Sequence, residues 1–115
     1  MATRQLDRSE WKAYFDRVSK ALGAKLVEIE VASLDIGDQV EGEWIPFMGI
    51  TYDHKNDVVE VALEGVDHLV RRPQAVYVDE DAAEGLRSLE IVDGDGRKHL
   101  LTLKTPLALP APEPA

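Results

Sequence analysis

Apolar and polar residues alternate in blocks along the chain, and the clearest block runs from Glu43 to Glu64. Trp44, Met48, Ile50 and Tyr52 share one parity, and Val59, Val61 and Leu63 share another. Each run can therefore present an apolar face to a core as a strand. Between them Asp53, His54, Lys55, Asn56 and Asp57 have the composition of a turn, so the pair reads as a central antiparallel hairpin. Pro46 removes a backbone donor and predicts a strand at the sheet edge or a bulge at Pro46 to Gly49. Trp44 and Phe47 have opposite parity, so both enter the core only if a bulge intervenes. Otherwise one of them lies outside it and marks a contact surface.

A different period precedes this block. Trp11, Tyr14, Phe15, Val18, Ala21 and Leu22 recur at intervals of three and four, which predicts an amphipathic helix over residues 7 to 22. Asp7 and Glu10 have the spacing of a capping box, and Gly23 stands where a left-handed C-cap belongs. The helix stripe needs cover, and the sheet is the large apolar surface on offer. Lys25 to Ala32 then alternates as a half-exposed strand, with Val27, Ile29 and Val31 on one side and Glu28 and Glu30 on the other. Ser33 to Gly42 breaks the pattern with two glycines and several acids and reads as a long loop.

Beyond the hairpin, Gly65 permits a turn into Val66 to Arg72, and Pro73 ends that run. Ala75 to Val78 is a further short extended piece, and Asp79 to Glu84 an acidic tip. Arg87 to Asp93 and Arg97 to Lys104 flank Asp93, Gly94, Asp95 and Gly96, a strong hairpin signal. With a glycine bulge at Gly96, Leu89 faces Leu101 and Ile91 faces His99. The reading is an α+β fold: a helix packed on a curled antiparallel sheet of five or six strands, with closure into a small Sm-like or SH3-like barrel as one form it can take. Residues 1 to 105 form one domain. Residues 106 to 115, with four prolines, read as a poorly ordered tail.

Composition narrows the function classes. With 115 residues, 22 acidic and 13 basic side chains, the formal charge is −9. That field disfavours nucleic acid and anionic membranes as partners. The chain has no cysteine, which removes disulfides and thiolate chemistry and fits a reducing, cytoplasmic setting. Neither a signal peptide nor a membrane-spanning run is visible. His54, His68 and His99 are the only imidazoles, and their spacing matches no ligand motif, so no metal and no cofactor are expected. Glycine-rich phosphate cradles and nucleophile elbows are also missing.

Several stretches carry a resemblance. Arg8, Trp11, Tyr14, Phe15, Asp16 and Ser19, the segment Gly49 to Leu63, Asp67 to Pro73, and Val76 to Gly96 together resemble a family of small bacterial proteins known only as a domain of unknown function. The likeness spans residues 4 to 109 and implies no activity or site residue.

Two function classes remain. The first is a noncatalytic domain that binds a protein partner or self-associates into a homo-oligomer, through an exposed sheet edge or the aromatic region of Trp44 and Phe47; it predicts an apolar surface patch. The second is a small hydrolase or isomerase using an Asp and His pair, with Asp53, His54 and His68 as candidate catalytic residues converging on a concave pocket.

Overall fold

The computed structural model describes residues 2 to 33 and 37 to 109. Strand β1 (Ala2–Leu6) leads through a single 3-10 turn (Arg8–Glu10) into helix α1 (Trp11–Ala21). Seven strands follow: β2 (Leu26–Ser33), β3 (Gly37–Asp53), β4 (Val58–Leu63), β5 (Val66–Arg71), β6 (Ala75–Asp81), β7 (Gly85–Val92) and β8 (Lys98–Leu107). They form one antiparallel eight-stranded sheet in the order β1-β6-β7-β8-β2-β3-β4-β5. The sheet curls without closing, so β1 and β5 are its two edges.

The helix forms where the stripe predicts it. Asp7 caps the first turn, accepting from the Ser9 N–H, while the Glu10 carboxylate accepts from the Asp7 N–H. Gly23 adopts φ 54° just past the helix end, a conformation that glycine reaches without steric cost. Trp11, Tyr14, Phe15 and Val18 are buried, and the helix lies against β3. Ser19 fixes the contact: its hydroxyl accepts from the Ile50 N–H and donates to the Ile50 carbonyl, each at 2.9 Å. One cluster of buried side chains draws on α1 and on every strand, from Leu6 through Val70 to Leu107.

The long third strand makes the curl possible. It spans 17 residues and is interrupted by bulges against β2, around Ile29, and against β4, between Phe47 and Gly49. Each bulge bends the strand and increases its twist, so one strand serves both halves of the sheet. Trp44 sits in the first irregularity at φ 50°.

The structure corrects the sequence reading in several places. Eight strands are present rather than five or six, and the sheet is open rather than a closed barrel. The segment read as a loop from Ser33 to Gly42 is strand from Gly37 onward; its residues up to Glu41 are exposed, so no buried face imposed a period on the sequence. The acidic tip shrinks to residues 82 to 84, because β6 extends to Asp81. Strand β8 runs through Pro106 to Leu107, which is only 2% exposed, so the packed body does not stop at residue 105. The last part of the proline-rich tail, residues 110 to 115, lies outside the described residues. The β7–β8 register is as expected: Leu89 pairs with Leu101 and Ile91 with His99, with Gly96 at φ 83°.

Candidate functional site

Among the described residues, β5 has no strand partner on the side away from β4, as an edge of the sheet. Val59, Val61 and Leu63 of β4 pair with Val70, His68 and Val66 of β5. The Arg72 N–H donates to the Asp57 carbonyl at 2.8 Å, which identifies the hydrogen-bonded positions of this ladder. Backbone groups alternate along an antiparallel pair, so those of Asp67, Leu69 and Arg71 point away from β4. In agreement, the Arg71 carbonyl accepts from the Gly94 N–H at 3.3 Å, from the far side. The side chains of these three residues share the face of exposed Glu60, opposite to the core face of Val59 and Val61. Leu69 is 39% exposed, Val66 57%, and Met48 in the neighbouring β3 bulge 63%.

The inner face of β5 carries a different chemistry. His68 Nε2 lies 2.8 Å from His99 Nδ1, and His99 Nε2 lies 2.8 Å from Asp93 Oδ2. Three residues from β5, β8 and the β7–β8 turn thus form one hydrogen-bonded chain. Asp93 and His99 are the two buried polar side chains among the described residues, each 6% exposed. Burial alone would raise the Asp93 carboxyl. The His99 ring and the backbone N–H groups of Arg97 and Asp95 outweigh it and hold the carboxyl below its ordinary value. An ionised Asp93 requires His99 to donate from Nε2. With neutral rings, His99 Nδ1 then accepts from His68 Nε2, and His68 Nδ1 is left as the basic end of the chain. Burial and the neighbouring His99 push His68 below the usual imidazole value, partly opposed by Glu41 of β3.

The residues singled out from sequence do not assemble. Asp53 ends β3 and His54 opens the β3–β4 turn, and Asp53 is engaged there: the Asn56 side chain and the backbone N–H groups of Asn56 and Lys55 bind its carboxylate and hold it low. His54 lines an open cleft of about 460 Å³ with Arg8, Ser9, Lys12 and Tyr52. His68 is absent from that lining, and its ring partner is His99. Of the two aromatic contact candidates, Phe47 is 1% exposed and part of the core, because the following bulge lets the strand turn it inward. Trp44 is half-buried, with the Lys104 ammonium 5.7 Å from its ring centre. No group of three or more metal-ligating side chains occurs among the described residues. Nor is any helix among them long and apolar enough to cross a membrane.

The model of a family of unknown function, DUF5335, matches residues 2 to 112. The chain belongs to that family. This DUF5335 protein is 40% identical over 111 residues to an uncharacterized protein of Aquifex aeolicus (strain VF5), covering 96% of this chain and 99% of that one. No solved structure matches it.

Two features of the DUF5335 chain went unread in its sequence. Asp93 and His99 share the inner face of the β7–β8 hairpin, because Asp93 has the parity of Ile91 and Ile91 pairs with His99. The glycine-bulge register therefore contained that contact. His68 reaches the pair only through the curl of the sheet, for which no local sequence signal exists. Chemically, the chain can accept a proton at His68 Nδ1 and share the charge with His99 beside Asp93. The edge can accept a strand.

Proposed function

We propose that this protein is a noncatalytic binding module that engages an extended polypeptide by strand addition along β5. One observation carries the reading: β5 turns the backbone groups of Asp67 and Leu69 outward on an open edge that also displays Val66 and Leu69. Added strands gain affinity from backbone hydrogen bonds and specificity from alternate side chains. An exposed apolar edge is also what a protein without such a partner avoids. The half-buried Trp44 precedes the β3–β4 pairing, which begins at Phe47, and this mode does not use it; Phe47 supports the surface from inside the core.

Residue-resolved hydrogen exchange tests the reading. The Asp67 and Leu69 amides should be open to solvent in dilute protein and become protected in concentrated protein or in bacterial extract, while Thr3 and Arg4 of β1 stay unchanged. Amides at 67 and 69 that gain no protection under either condition rule strand addition out.

A second reading, acid–base catalysis of the hydrolase or isomerase kind, is favoured by the Asp93, His99 and His68 chain instead of by Asp53 and His54. It requires hydrolysis of small activated esters above the buffer rate, lost in His68→Gln. Wild-type protein that leaves such esters at the buffer rate removes the hydrolytic form of this reading.

A further inference from the structure

The polypeptide that completes β5 can be deduced from the edge itself. Asp67, Leu69 and Arg71 are the residues whose backbone groups face outward, and their side chains lie on one face of the strand. Asp67 and Arg71 are exposed, and neither side chain makes an ion pair or hydrogen bond within the described protein, in contrast to Arg72, which pairs with Asp95 at 2.8 Å. The edge is thus a negative charge, an apolar residue and a positive charge in a row, each without a partner.

Such a row is self-complementary. Running a second β5 antiparallel to the first sets outward residues against outward residues only in certain registers. Pairing Asp67 with Asp67, or Arg71 with Arg71, opposes like charges. Asp67 against Leu69 places a carboxylate on an apolar side chain, and Leu69 against Arg71 leaves Asp67 facing Pro73, which has no N–H to give. The remaining register puts Leu69 against Leu69 on a twofold axis, with Asp67 of each copy against Arg71 of the other. It forms opposite-charge cross-strand pairs on both sides of an apolar centre.

We infer that β5 is completed by β5 of a second copy of this chain, in the register Leu69 to Leu69 with Asp67 opposite Arg71, joining two open sheets into one. This rests on the strand-addition reading and names its occupant. The contact is isologous, so it closes at a dimer and does not propagate. At its centre the two Leu69 residues exchange a pair of N–H to carbonyl bonds. At its flanks the Arg71 N–H reaches the Asp67 carbonyl of the other copy. The Arg71 carbonyl already accepts from the Gly94 N–H, so each flank rests on the Arg71 N–H bond and on the opposed charges. The local pairing also explains how two chains of charge −9 can meet here: each brings a cation to the other's anion.

The test is sedimentation equilibrium on the full chain and on Asp67→Arg, Arg71→Asp and the double charge swap. The wild type should be a dimer. Each single change opposes like charges at both flanks and should weaken dimerisation by about tenfold or more, whereas the double swap restores it. Both positions are exposed, and thermal unfolding confirms that each variant is folded. As a measurement independent of the variants, the Leu69 amide of the wild type should gain exchange protection as protein concentration rises. A wild type that stays monomeric overturns the inference; strand addition itself then stands or falls on the protection of residues 67 and 69 in bacterial extract. A dimer indifferent to the single changes, or not recovered by the swap, overturns the register and the proposed contact with it.

Discussion

The two edges of this sheet are built on opposite plans. Strand β1 exposes Thr3, Arg4 and Gln5, and Leu6 anchors it in the core. Arg4 is tied back to Glu80 at 3.0 Å and lies 3.7 Å from Glu10. Polar side chains held by their own neighbours blunt an edge against foreign strands. Strand β5 is anchored from inside by Val70 and by the His68 to His99 bond, and it leaves Val66 and Leu69 exposed with two charges unanswered. The same eight-stranded framework thus ends in one finished edge and one unfinished edge. The difference is what supports the proposed binding role of β5.

Four changes probe this contrast. The largest effect is expected from Leu6→Ala, which removes the anchor of β1 and should cost about 2–5 kcal/mol of unfolding free energy in urea. A loss no larger than that of a surface substitution would mean that β1 is held by its polar residues instead. Next, His99→Ala strands the Asp93 carboxylate and unfastens β5 from β8. The expected loss is about 1–3 kcal/mol or more for a charged group left buried, together with faster amide exchange in β5 and unchanged exchange in β1.

The third probe is pH. The His68 ring titrates below its unfolded value, so the unfolded chain binds more protons and acid favours unfolding. Stability should be complete above about pH 6.5 and fall as the pH drops from there through the native His68 value. A further fall, from the depressed Asp93, follows below the ordinary carboxylate range. His68→Gln should flatten the first fall and leave the second; a profile identical to wild type would show that His68 does not carry it. The smallest effect is expected from Arg4→Ala. Its ion pair with Glu80 is about half exposed, and such pairs contribute about 0–1 kcal/mol. Thermal unfolding should barely move, and dimerisation through β5 should not change.

Much of this molecule could be read from its residues, and what escaped did so for definite reasons. The helix was legible because a capping box and a buried stripe mark it twice. The β7–β8 register was legible because a turn with Gly96 at positive φ leaves few alternatives. Strand β1 was not, since Ala2 to Leu6 contains no alternation and is held mainly by backbone pairing to β6. The outer half of β3 was hidden because it has no buried face. Resemblance to a family of unknown function held over nearly the whole chain. The candidate residues Asp53 and His54 were attractive for their chemistry, but their positions follow from turn geometry. Arg71 and Asp67 were visible in the sequence as charges. Only the topology shows that they flank a leucine on a free edge.

The order of pairing has a consequence for how the chain is made. Strands β2 to β5 are joined in succession, as are β6 to β8, so most of the sheet assembles from neighbouring segments. Two pairings are not local: β1 with β6, where Ala2 meets Glu80, and β2 with β8, where Val27 meets Leu103. During synthesis β1 must wait, unpaired, until β6 has followed it, and the polar composition of Thr3, Arg4 and Gln5 suits a segment that spends that interval in water. A non-local pairing of this kind closes late, after the local hairpins have formed. The finished edge of the mature sheet is in this sense also one of the late stitches of its folding.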